Sequence, residues 1–396
     1  MNFERYAALF AAPDIASTLR ASIIGRLPIG IAMLAILLHV QSATGSFAVA
    51  GAASSLYVFG LAALAPFIGR LIDRLGPRPV LVITGIAYPA ALGALLLLVA
   101  AGAHALWIGC CAFVAGAMLP PVTICVRTLF PRLVDDPALL QTAYSVDSAL
   151  VEFVFIVGPA LVALFVALSM PAGAVMLAAL CGAAGSVMFV RAPAIKDWVL
   201  PAETTRPRLL EPLGNPHLRA ILAATVLYSV AFGLLEVGIT VYAAERDMPA
   251  AAGVVLALAS IGSAVGAVIY GSRDWPHALP RQLVLALLLM AAGMGLLAAV
   301  PDIYAFGALS VAACLPMAPV IAVQALLISR LAPRAMLAQS FTWGTTCLLG
   351  GISGGIALGG IMAETWASPV LLLTGAVAAV AAALIVRWAF RRTPIV

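Results

Sequence analysis

Apolar runs of about twenty residues follow one another along almost the whole chain, separated by short clusters of Pro, Gly, Asp and Arg. A helix of that length crosses a ~30 Å hydrocarbon core. The pattern predicts twelve spans, near 19–41, 46–69, 79–101, 104–128, 139–166, 170–190, 218–243, 250–271, 281–300, 303–328, 336–361 and 368–388. One long polar stretch, 191–217, divides them six and six. It carries Pro193, Pro201, Pro207, Pro212 and Pro216, which argue against a continuous helix there. The expected architecture is an all-α polytopic membrane protein, with an N-terminal six-helix bundle (1–190), a linker (191–217) and a C-terminal six-helix bundle (218–396).

Composition supports a lipid environment. Hydrophobic residues make up 64% of the 396 positions and charged ones only 9%, against roughly 25% in ordinary soluble proteins. A soluble core cannot absorb that surplus, so it must face lipid. The formal charge of +5 sits in short loops and reads as topology; no nucleic-acid partner is expected. Outside the first span, every Lys and Arg except Arg246 falls on one side of the predicted topology. That bias predicts both termini and the linker on the cytoplasmic side of a bacterial inner membrane. The first apolar run follows Glu4, Arg5, Asp14 and Arg20 and is too long for a cleaved signal peptide. Cys110, Cys111, Cys125, Cys181, Cys314 and Cys347 lie in apolar stretches with no CxxC spacing, so they read as buried small hydrophobes. No metal or cofactor is expected. The chain has no Walker loop, HExxH or GxSxG, which argues against an enzyme and against ATP-driven transport.

The halves resemble each other. Gly51, Gly60 and Gly69 match Gly253, Gly262 and Gly271, and Leu119-Pro120 matches Leu315-Pro316. Gly25, Pro28 and Gly30 align with Gly233, Glu236 and Gly238, and Gln141 with Gln339. Two similar six-span halves around a central pathway suit a transporter.

Between spans two and three the chain reads Gly69-Arg-Leu-Ile-Asp73-Arg74-Leu-Gly76-Pro77-Arg78. This resembles the major facilitator superfamily loop G-x-x-x-D-R-x-G-R-[RK], with Pro77 departing from it. The resemblance implies the major facilitator fold, transport by alternating access, and a cytoplasmic latch built from Gly69, Asp73, Arg74, Gly76 and Arg78. Arg127, at the end of span four, is expected to be a cytoplasmic anchor or the partner of Asp73 in that latch. The copy after span eight, Gly271-Ser-Arg-Asp-Trp275, keeps little beyond its glycine, so the latch is expected to be asymmetric. Span five carries Gly158-Pro159, part of a motif of the family's efflux members, and the chain looks like bacterial drug or sugar efflux permeases.

Four charges lie inside spans: Arg26, Asp147, Glu152 and Glu236. A charge at the bilayer centre costs about 2.5–3.5 kcal/mol on insertion scales, so each needs a partner or a task. Arg26 and Asp147 fall at similar depth and are expected to pair, with Glu152, a substrate anion or the cytoplasmic surface as the alternative destinations of Arg26. Glu152, five residues from Asp147, points about 140° away from it at ~100° per residue. It is the leading protonatable site, with Asp147 and Glu236 as further proton-coupling candidates. Tyr144, Ser148, Tyr228, Thr240, Gln324, Thr342 and Trp343 are candidate cavity residues. The expected function is proton-coupled efflux (antiport) of small amphipathic molecules by a monomer. The alternative is a symporter or facilitator taking up a sugar-like or organic-ion nutrient.

Overall fold

A computed structural model describes residues 4–196, 198, 209–248 and 251–391. Pro201, Pro207, Arg206, Arg208 and Arg392 lie outside the described residues. Sixteen α-helices are present among those described: α1 Glu4–Ala11, α2 Pro13–Thr44, α3 Phe47–Leu75, α4 Pro77–Ala100, α5 Ala105–Ala117, α6 Val122–Leu133, α7 Pro137–Ala167, α8 Pro171–Val190, α9 Pro193–Lys196, α10 Pro216–Ala244, α11 Ala251–Gly271, α12 Leu279–Ala298, α13 Ile303–Cys314, α14 Met317–Leu331, α15 Leu337–Ala363 and α16 Ser368–Ala389. They form 12 helical segments long and apolar enough to cross a membrane. Several begin on proline, whose missing N–H would find no partner in a first turn anyway.

Spans four and ten are each two helices in line. The break in span four falls at Met118–Pro121, between α5 and α6, and that in span ten at Leu315–Pro316, between α13 and α14. These are the matched Leu-Pro pairs of the two halves. Hydropathy hides both breaks because the interrupting residues are themselves apolar. A further helix, α1, was not expected; it packs on α2 and α7 with Leu9 buried.

Each half packs in the same way. In the first, α2 lies against α7 and α8, and α3 against α5; in the second, α10 lies against α15 and α16, and α11 against α13. Glycine sets the closest approaches. A Cβ on Gly60 would fall 2.2 Å from Phe113 O, and one on Gly262 2.1 Å from Val311 O, so these two are true counterparts. The first helices need a different register from the expected one. A Cβ on Gly30 would sit 2.3 Å from Val154 O in α7, and one on Gly233 2.4 Å from Ile352 O in α15. Gly30 therefore corresponds to Gly233, and the alignment of Gly25 with Gly233 is five residues out. A helix carries glycine on several faces, and only its neighbour shows which one matters.

The halves meet along α3 with α15 and α7 with α11. Successive spans alternate, so the span ends and loops carrying Arg70, Arg74, Arg78, Arg191 and Arg273 share one face, called here the basic face. Cys110 is exposed and Cys111 and Cys347 are half-buried, so only Cys125, Cys181 and Cys314 are the buried small hydrophobes expected of all six.

Gly30→Ala should destabilise the protein by about 1–3 kcal/mol, because the methyl would enter occupied space. Gly51→Ala, whose methyl meets nothing within 4 Å, should leave the thermal midpoint in detergent unchanged. Equal midpoints for the two variants would show that Gly30 does not set the α2–α7 approach.

Candidate functional site

Asp147, ten residues into α7 and so about 15 Å from its start, is wholly buried. Its two oxygens take two arginines. Arg26 Nη2 of α2 donates to Oδ1 at 2.5 Å, and Arg127 Nε of α6 donates to Oδ2 at 2.7 Å. Side-chain exposure is 1% for Arg26 and Asp147 and 10% for Arg127. The expected role of Arg127 as the latch partner of Asp73 is therefore corrected. Helix α6 continues to Leu133, which carries Arg127 about 9 Å inward from the helix end. Arg132, nearer that end, is the cation whose charge reaches Asp73.

Tyr144 explains how Arg127 is held. Pro131 lies inside α6 and has no N–H for the carbonyl four residues back, that of Arg127. The Tyr144 hydroxyl donates to that carbonyl at 3.0 Å, and its ring stands edge-on to Phe130 at 5.2 Å. Tyr144 is fully buried, so it is a brace and not a cavity residue. Ser148 is also buried, and its hydroxyl bonds the Tyr144 carbonyl.

Glu152 turns to the other half. Ser263 Oγ of α11 donates to its Oε1 at 2.8 Å, and the Cys314 thiol at the end of α13 lies within reach of its charge. Glu236 and Thr240 are exposed on α10, where the Thr240 hydroxyl bonds the Glu236 carbonyl. Gln324 of α14 donates to Thr225 Oγ1 at 2.9 Å and, with Arg127, Phe341, Gly344 and Thr345, lines a small cavity between the halves. Tyr228 is buried against Phe232. Thr342 and Trp343 do not line this small cavity. Thr342 packs under Gly69, and Trp343 Nε1 donates to Leu209 O in the linker. Both sit in the first turns of α15, near the basic face. A separate cavity of about 440 Å³, walled by Leu285, Leu289, Leu296 and Leu309, lies beside α12 away from these charges.

At the basic face the halves close on each other. Asp73 accepts from the backbone N–H groups of Ala338 and Gln339, at 3.0 and 2.8 Å. These belong to the first turn of α15, where N–H groups lack partners and the helix dipole favours an anion. A Cβ on Gly69 would meet Thr342 Oγ1 at 2.3 Å, so only glycine permits this contact. Gly76 turns the chain at φ 80°, a conformation that favours glycine. Arg74 and Arg78 are exposed. The symmetry-related contact uses other groups: Thr142 Oγ1 donates to Gly271 O at 2.8 Å, and Gln141 Nε2 to Tyr270 O and Arg273 O. Higher up the α3–α15 seam, Thr346 Oγ1 donates to Ala62 O at 2.7 Å. That carbonyl is the one freed by Pro66, four residues on. Nothing singled out Thr346, Thr142 or Ser263 beforehand, although the spacing of Pro66 from Ala62 points to a carbonyl in need of a donor. Gly158 of the expected efflux motif packs against Gly30, followed in α7 by Pro159.

A sequence model of the Major Facilitator Superfamily matches residues 21–347. The chain belongs to that superfamily. A relative from Sinorhizobium fredii, described as an uncharacterized MFS-type transporter, is 28% identical over 279 residues, covering 67% of this chain and 68% of its own. Among solved structures, a bacterial homologue of the iron transporter ferroportin in an outward-facing state superposes with a TM-score of 0.78 at 15% identity, covering 95% of this chain and 99% of its own. The fucose:proton symporter of E. coli gives 0.69 at 14% identity, covering 94% and 98%. At such identities the likeness shows the fold. This major facilitator is thus a multi-pass membrane transporter and not an enzyme.

Removing Asp147 would leave two buried arginines facing each other, whereas removing Arg127 leaves a balanced pair. Asp147→Asn should cost about 3–5 kcal/mol of stability in detergent, and Arg127→Gln clearly less. Equal losses would contradict the shared-carboxylate arrangement. Asp73→Asn should keep the fold but loosen the basic face, making a cysteine placed at Thr342 react faster with a soluble maleimide. Unchanged labelling would show that Asp73 does not hold the seam.

Proposed function

We propose that this major facilitator is a proton-coupled secondary transporter that exports small amphipathic molecules by alternating access. In this reading the basic face lies in the cytoplasm and Glu152 carries the proton. The observation that supports it is the hydrogen bond from Ser263 to Glu152, which joins α7 of one half to α11 of the other near mid-span. An ionised carboxylate accepts a bond roughly twice as strong as a neutral one does. Protonation of Glu152 therefore weakens one of the contacts that hold the halves in this arrangement. A ligand, here a proton, that favours one arrangement over the other shifts their populations. Asp147 is a poorer proton carrier, because both its oxygens are occupied by arginine donors. In this reading Glu236, exposed with Thr240 on α10, meets substrate or proton from the far face. Gly158-Pro159 favours export over uptake.

The test is flux of a panel of amphipathic fluorescent dyes, of either charge, in proteoliposomes with and without an imposed pH gradient. Wild-type flux should follow the gradient. Glu152→Gln should abolish that dependence while leaving passive exchange, and Glu236→Gln should raise the apparent KM. Wild-type flux indifferent to the gradient, or Glu152→Gln flux that still follows it, would refute the proton role. Dye accumulation in the direction of proton entry would replace export by uptake.

A further inference from the structure

The Arg26–Asp147–Arg127 cluster does not balance. Two guanidinium groups share one carboxylate, and both carboxylate oxygens are used. One positive charge is left over. No other described acid turns to it: Glu152 bonds Ser263, Asp73 caps α15, and Glu236 is exposed on α10. Donors are left over as well. Arg127 spends Nε on Asp147, while its Nη1 and Nη2 have no acceptor among the described residues. Arg26 Nε is buried without a partner. Arg127 is also the most accessible member of the cluster, at 10% exposure, and it lines the small cavity between the halves. Ala325, Ile328, Phe341 and Leu348 give that cavity apolar walls, and Gln324 and Thr345 give it polar points.

An excess charge with open donors is expensive at membrane depth. It calls for an anion. A planar guanidinium with two free terminal nitrogens matches the two oxygens of a carboxylate. One surplus charge matches one negative charge, and apolar walls suit a hydrocarbon body. We infer that the molecule carried is a monoanionic organic acid, its carboxylate held by the Nη1 and Nη2 fork of Arg127 between α6, α14 and α15. The inference rests on the transport reading above and names its substrate class. The cavity holds about 10 Å³ in the present arrangement, room for one water, so the carboxylate and the body of the acid both enter only as the halves separate.

The experiment uses the purified full-length protein in detergent. Thermal unfolding is followed with benzoate, phenylacetate, indole-3-acetate and octanoate, each against its neutral amide and against sodium chloride at equal ionic strength. At least one acid should raise the midpoint saturably, and its amide and chloride should not. Arg127→Gln, which leaves the balanced Arg26–Asp147 pair, should fold and weaken that acid at least tenfold; Arg127→Lys, which keeps the charge and loses the fork, should fall between. Four outcomes overturn the inference: no acid shifts the midpoint, the amide matches its acid, chloride alone saturates the effect, or Arg127→Gln binds the acid as wild type does. None of these depends on a pH gradient. Acid binding that needs Arg127 beside flux that ignores the gradient would sink the proton reading alone; the reverse pattern would sink only this one.

Discussion

A backbone carbonyl or amide left open inside a bilayer has no water to bond, and several contacts between helices here supply partners for such groups. Prolines within α3 and α6 each free a carbonyl, at Ala62 and Arg127. A hydroxyl from a neighbouring helix takes each one, Thr346 for the first and Tyr144 for the second. Helix ends pose the same problem. Asp73 satisfies the first N–H groups of α15, and Gln141 and Thr142 satisfy the last carbonyls of α11. Except for Tyr144, these partners come from the opposite half. The seam between the halves is therefore built largely from backbone polarity, which water can satisfy equally well once that face opens. That suits the alternating-access reading, in which separation exposes groups only where solvent arrives to receive them.

Charge obeys the same logic at higher cost. Asp147 is tolerable at its depth because two arginines surround it, and Glu152 because it reaches a hydroxyl across the seam. The two acids lie five residues apart on one helix and face different neighbours, which separates their tasks. Asp147 binds α2, α6 and α7 into one body. Glu152 looks out of that body toward the other half.

The spans were legible because the membrane imposes a length and an apolar character on every one, and the loop at 69–78 because its glycines and aspartate are each needed for a specific contact. The meeting of Arg26 and Asp147 followed from matching depths. Other features were silent for physical reasons. The breaks at Met118–Pro121 and Leu315–Pro316 are apolar, so hydropathy runs through them. Arg127 looked terminal because the apolar run of span four ends near 128, yet the helix continues through Pro131, a proline in a last turn that needs only a substitute donor, which Tyr144 supplies from another helix. Thr342 and Trp343 looked like cavity residues by type, but which side of α15 faces a cavity is decided by the helices packed around it. Ser263 is one hydroxyl in an apolar span, and only the position of Glu152 gives it meaning.

The uncompensated charge of the arginine cluster also exposes the protein to membrane potential. All three of its residues belong to the first half, on α2, α6 and α7. In alternating access the barrier moves past a site near mid-membrane, so the site changes from one side of the electric field to the other. One elementary charge moved across the whole field is worth about 2.3 kcal/mol per 100 mV. On the anion reading proposed above, an empty cluster carries that sensitivity and a cluster neutralised by an anion does not. Voltage would then act mainly on the return of the unloaded protein, biasing which face it waits on.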